Sequence, residues 1–120
     1  MKLEEKIINY RREFHTYPEL GWREIRTSAR IAEILDQMGC EKIYVGKEAI
    51  NPDSILSLVR MTEEEKTQQM QQAIAEGASE KWVAKAEGYP GVVAEFDSGK
   101  AGKVIAFRFD IDALPDTEEA

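Results

Sequence analysis

The sequence predicts an α/β fold in which two N-terminal helices pack on a central sheet, with a helical insertion in the chain. Three patterns predict it. Helical periodicity occurs twice before residue 40, β-prone runs lie near 42–45, 91–97 and 103–110, and a Glu- and Gln-rich segment separates the first of these runs from the other two.

The first helix is expected over about residues 3–16, where Leu3, Ile7, Tyr10 and Phe14 recur at helical spacing and Glu4, Glu5, Asn9 and Arg12 fill the other side. Pro18 stops it. The period returns with Trp22, Ile25, Ala29, Ala32, Leu35 and Met38, and Gly39 stands where a left-handed cap belongs. "KIYV", Lys42 to Val45, is a short strand.

The insertion is expected from about residue 51 to 87. "NPDS" makes a turn, and Thr62 with Glu65 fits a capping box opening a polar helix that Gly77 closes. The thin apolar stripe of Met70, Ala73 and Ile74 places this helix at the surface. A shorter helix from Ser79 to about Glu87 carries a firmer docking face in Trp82, Val83 and Ala86. Beyond Gly88, "GVVAEFDSGKAGKVIAFRFD" reads as a hairpin of strands 91–97 and 103–110 joined across Ser98 to Gly102. Val104 to Phe107 is apolar on both alternating faces, which calls for cover on each side.

A length of 120 residues suits one domain or part of one. The net charge of −7 argues against nucleic acid and anionic membrane as partners, since both require clustered cations. No apolar run approaches the roughly 20 residues of a membrane helix. "MKLEEKIINY" lacks the features of a secretory signal, so the expected location is cytoplasmic. The lone Cys40 excludes an internal disulfide framework and reads as a small buried hydrophobe.

Chemistry concentrates at the end of the last apolar run. Asp110 and Asp112 are two positions apart, so an extended backbone projects both carboxylates from one face at a strand's carboxyl end. Such a pair can hold a divalent cation or orient a ligand or catalytic group, and equally can cap the turn before Pro115 in water. His15, the single histidine, follows an apolar helix and precedes a proline turn, a place suited to a structural hydrogen bond. "SGKAG" lacks the phosphate-loop pattern and links two strands. Arg11, Arg12, Arg23, Arg26 and Arg30 face solvent or pair with nearby acids, unless one of them clamps a carboxylate.

"RREFHTYPELGWREIRTSARIAEILDQMG" followed by "FRFDIDALP" resembles the N-terminal region of the co-catalytic metallopeptidases and amidohydrolases that include aminoacylases, glutamate carboxypeptidase and indoleacetyl-amino-acid hydrolases. The resemblance spans nearly the whole chain, and the long segment after "GKEAINPDS" is similar to a subgroup that acts on acyl-glutamates. It implies a metal-dependent hydrolase that cuts p-aminobenzoyl-glutamate to p-aminobenzoate and glutamate, using manganese or zinc, with a related second subunit or a homo-oligomer. It also implies supporting catalytic roles for two residues. Asp112 matches an acid that orients a neighbour at the metal site, and Asp110 stands where related peptidases place a histidine ligand. The family's metal ligands and general base are expected downstream of "DALP", so the resemblance implies an N-terminal fragment of a catalytic domain, inactive and without bound metal by itself. The alternatives are a general aminoacylase or carboxypeptidase of the same family, and a non-enzymatic α/β interaction module in which Asp110 and Asp112 are solvated.

Overall fold

The computed structural model describes residues 1–56 and 60–116; positions 57–59 of the expected insertion and residues 117–120 lie outside the described residues. The elements run α1 (Leu3–Thr16), α2 (Ile25–Gln37), β1 (Lys42–Val45), short 3-10 turns at Gly46–Glu48 and Pro52–Ser54, α3 (Glu63–Ala75), α4 (Glu80–Ala86) and β2 (Val92–Glu95). The α/β class and the order of helices follow the sequence reading. Among the described residues no helix is long and apolar enough to cross a membrane.

Local chemistry explains the ends of these helices. Thr62 Oγ1 accepts from the Glu65 amide at 3.1 Å while the Thr62 amide donates to Glu65 Oε2 at 2.7 Å, the reciprocal box that satisfies two otherwise orphaned donors of α3. Gly39, at φ 86°, carries the chain out of α2 in the left-handed conformation that side chains resist.

Helix α2 is the centre of the packing. Ile25, Ala29 and Ala32 on its buried face meet Ala73 of α3, Trp82, Val83 and Ala86 of α4, and Ile43 and Val45 of β1 in one continuous core. Leu35, Met70 and Val92 cover the edges of that core. Small residues on α2 allow close approach of its neighbours, so the apolar area is buried by fit rather than by bulk. Cys40 is buried, as its solitary place in the sequence predicts.

The sheet departs from expectation. β2 pairs antiparallel with β1, in the register Lys42↔Glu95, Ile43↔Ala94, Tyr44↔Val93 and Val45↔Val92, and not with residues 103–110. The Gly91 amide donates to the buried Ser28 hydroxyl at 2.8 Å, which fixes the start of β2 on α2. Residues 103–110 form no strand, and Val104 is 98% exposed, with Ile105, Phe107 and Phe109 nearly as open. A run that is apolar on both faces needs a ladder partner and two covering layers, and no described element supplies them.

Nor does α1 pack on the sheet. None of its residues is fully buried, and Leu3 and Ile7 face solvent, with no apolar surface among the described residues covering their stripe. Charge holds it instead. Glu13 accepts from Arg26 Nη2 and Arg30 Nη2 of α2, each at 2.9 Å, and Arg30 also pairs with Glu33. The Arg30 guanidinium holds the Glu13 carboxyl below its ordinary range, burial opposing it.

Among the glycines, Gly46 in the turn after β1 has the least room. Gly46 sits at φ 61°, and a Cβ there would stand 2.6 Å from the Ala86 carbonyl oxygen and 2.9 Å from its Cα. Gly46→Ala therefore combines a left-handed backbone with a clash against the end of α4. It is expected to lower stability by more than about 1 kcal/mol, read as a fall in the urea midpoint; an unchanged midpoint would mean that β1 and α4 do not meet in this way.

Candidate active site

Between α1 and α2 the chain bends through Pro18, Glu19 and Leu20, and here the residues about Asp112 return to the body of the fold. The Ala113 amide donates to the Glu19 carbonyl at 2.7 Å, and Leu20 and Ala113 form a parallel bridge. The Asp112 carboxylate lies against this bend, where a Cβ on Gly21 would be 3.7 Å from its Oδ2.

Glu19 makes the bend rigid. The residue is 8% exposed. The carboxylate accepts from the amides of Arg26 at 3.1 Å and Thr27 at 2.6 Å, from Thr27 Oγ1 at 2.7 Å and from Gln69 Nε2 of α3 at 3.1 Å. The two amides belong to the first turn of α2, whose donors have no partner within the helix and whose dipole favours a negative charge. One acid thus caps α2 from outside it, joins α3 to the cap and presents its carbonyl to Ala113.

An open cleft of about 920 Å³ results. Its walls include Phe14, His15 and Thr16 at the end of α1, Thr27 and Ile31 of α2, and Asp110, Asp112 and Leu114. The fold brings together the two acids that the sequence pairs, and it places His15 in the wall of the same cleft. Asp110 and Asp112 are both exposed, and Asp110 is in an ion pair with Arg108 at 2.8 Å. Arg26 and Arg30 pair with acids as expected, and Arg26 is almost wholly buried, donating from Nε to the Glu76 carbonyl at 3.0 Å with its guanidinium 4.0 Å from the Tyr17 ring.

Two acids at this site escape the sequence reading. Glu19 lies seven and eight residues before the amides that it caps, outside the spacing of any local capping rule. Glu24 is buried, and its Oε2 has no hydrogen-bond partner among the described residues. Burial raises its carboxyl above the ordinary value, and the charges of Asp112 and Glu19 push the same way. An acid immediately before an apolar helical period is the signal available for Glu24, and it does not separate a buried group from a solvated one.

Among the described residues, no group of three or more His, Cys, Asp or Glu side chains is placed to hold a metal ion. The acids here do not form a metal cage by themselves: Asp110 is turned to Arg108, and Glu19 is committed to α2 and Gln69. A smaller hollow of about 160 Å³ beside Trp22 and Tyr89 lies apart from these acids, with Lys66 over the Tyr89 ring at 4.3 Å.

The raised carboxyl gives a pH test. Since the folded chain holds the Glu24 proton more tightly than the unfolded chain does, ionising Glu24 costs stability as pH rises from the unfolded value near 4.5 through the higher folded one. Glu24→Gln removes that cost. The melting-temperature difference, variant minus parent, is expected to grow in the stabilising direction across that window and level off above it; a difference independent of pH would show that Glu24 is hydrated.

No family profile matches the chain. Individual proteins do. A homolog of a p-aminobenzoyl-glutamate hydrolase subunit, from Haemophilus influenzae, is 46% identical over 113 residues, covering 94% of this chain and 26% of the relative. A p-aminobenzoyl-glutamate hydrolase subunit of Escherichia coli is 40% identical over 98% of this chain and 26% of its own length. The crystal structure of the aminobenzoyl-glutamate utilization protein from Klebsiella pneumoniae matches with a TM-score of 0.85 and 38% identity, over 93% of this chain and 28% of that one. The chain thus spans about a quarter of the length of the curated relatives it matches. By sequence and by fold, the chain is similar to about a quarter of the length of proteins named as p-aminobenzoyl-glutamate hydrolase subunits.

Proposed function

We propose that this segment is part of the catalytic domain of a metal-dependent amidohydrolase that cleaves p-aminobenzoyl-glutamate to p-aminobenzoate and glutamate in the cytoplasm. The observation that carries the reading is identity of 40–46% to proteins named for that reaction, along nearly the whole of this chain. Residues 51–87 form the helical insertion of that domain. A divalent ion, manganese or zinc, polarises the amide and activates water in such an enzyme, and no group of side chains among the described residues is placed to supply its ligands. The relatives are named as one subunit of a hydrolase, which supports a second, different chain as partner.

The segment's own part is support. Asp112 is anchored next to Ala113 and faces an open cleft, where it orients neighbouring groups; Asp110, in the wall of the same cleft and paired with Arg108, has the lesser supporting role. The role proposed for Asp112 is to orient neighbouring groups and not to contact the substrate carboxylates. Asp112 therefore acts on the chemical step more than on binding. A broader preference for aromatic acyl-amino acids is the second reading, favoured by 37% identity to the indole-3-acetyl-aspartic acid hydrolase of Enterobacter agglomerans.

In an enzyme of the relatives' length carrying this segment, Asp112→Asn is expected to lower kcat about ten- to a hundredfold and leave KM little changed. Release of p-aminobenzoate from p-aminobenzoyl-glutamate measures it, with indole-3-acetyl-aspartate assayed in parallel. A raised KM at constant kcat would reassign Asp112 to substrate binding, and faster cleavage of the indole substrate would favour the second reading.

A further inference from the structure

We infer that Glu19 is a positioning residue for Asp112, joining the catalytic support to the helix core through its two ends. The inference rests on the role given to Asp112 above. At one end, the carboxylate is buried and receives four donors, from the Arg26 amide, the Thr27 amide, Thr27 Oγ1 and Gln69 Nε2. At the other, the carbonyl receives the Ala113 amide at 2.7 Å, in the peptide that directly follows Asp112. The run before this point, 101–110, is exposed and has no regular structure, so the body of the fold does not fix Asp112 from that side. The direction of the Glu19 carbonyl is set by where its side chain is locked. The first turn of α2 and the Gln69 amide of α3 thereby determine where Asp112 stands.

A cap that served stability alone would leave Asp112 indifferent to its loss. The two roles separate by experiment. In this chain, amide exchange at Ala113 is compared for the parent, Glu19→Ala, Glu19→Gln and Thr62→Ala; the last removes the cap of α3, distant from Asp112 in the hydrogen-bond scheme. The same variants are placed in an enzyme of the relatives' length for kcat and KM. Glu19→Ala is expected to speed Ala113 exchange at least about tenfold beyond its effect on α4 amides and to lower kcat about ten- to a hundredfold with little change in KM. Glu19→Gln keeps one acceptor oxygen and the shape, and should recover part of both losses; it also carries the test if the alanine variant does not fold. Thr62→Ala should leave Ala113 and kcat near the parent values. Unaltered Ala113 exchange in Glu19→Ala and Glu19→Gln would overturn the inference, as would a kcat loss no greater than that of Thr62→Ala. If Asp112→Asn impairs kcat while the Glu19 variants do not, the inference alone fails; if Asp112→Asn is silent, the role of Asp112 fails and the inference with it.

Discussion

A buried carboxylate at the start of α2 is the constraint on which this structure turns. An ionised acid taken out of water is costly unless donors replace the solvent, and Glu19 receives four. Two of those donors exist because a helix begins at that place and leaves its first amides unpaired. The stabilisation is mutual: α2 gains a cap and a favourable charge at the positive end of its dipole, and the acid gains a site that tolerates its burial. Gln69 extends the arrangement to α3, and the Glu19 carbonyl extends it to the residues about Asp112. Helix packing and site geometry are therefore one problem in this segment.

Around that point the fold uses two kinds of attachment. The body is held by close apolar packing of α2 against α3, α4 and the two strands, a core of small and β-branched residues with Trp82 as its largest member. Helix α1 is held by charge, through Glu13 between Arg26 and Arg30, and buries no residue. Partly buried arginine and carboxylate groups can fix an orientation where apolar area is lacking, because the guanidinium geometry is planar and bidentate. The cleft has the end of α1 on one side and Asp112 on the other. Burial raises the cost of ionising Glu24, whose buried Oε2 has no hydrogen-bond partner among the described residues, and the charges of Asp112 and Glu19 add to it.

Much of this is legible in the sequence, for reasons that are local. Leu3–Thr16 and Lys42–Val45 are placed by periodicity and β-propensity, and the Thr62–Glu65 box marks the start of α3 because both partners lie within one turn. Trp82, Val83 and Ala86 announce the docking face of α4 by their spacing. The partner of β2 is not legible, since pairing with Lys42–Val45 depends on how α2, α3 and α4 fold between the strands. The run 103–110 has the composition of a strand but lacks neighbours among the described residues, and composition alone does not make a ladder. At the site, Asp110 and Asp112 stand out as a pair, whereas the approach of His15 to their cleft and the cap formed by Glu19 are products of tertiary structure.

The central claim is that the peptide after Asp112 is bound to the carbonyl of Glu19. A scalar coupling across that hydrogen bond, from the Ala113 amide nitrogen to the Glu19 carbonyl carbon, tests it most directly by nuclear magnetic resonance on the isotopically labelled chain. A donor–acceptor distance of 2.7 Å predicts a measurable coupling between these two nuclei. No coupling, with Ala113 exchanging at the rate of a free peptide, would contradict the account.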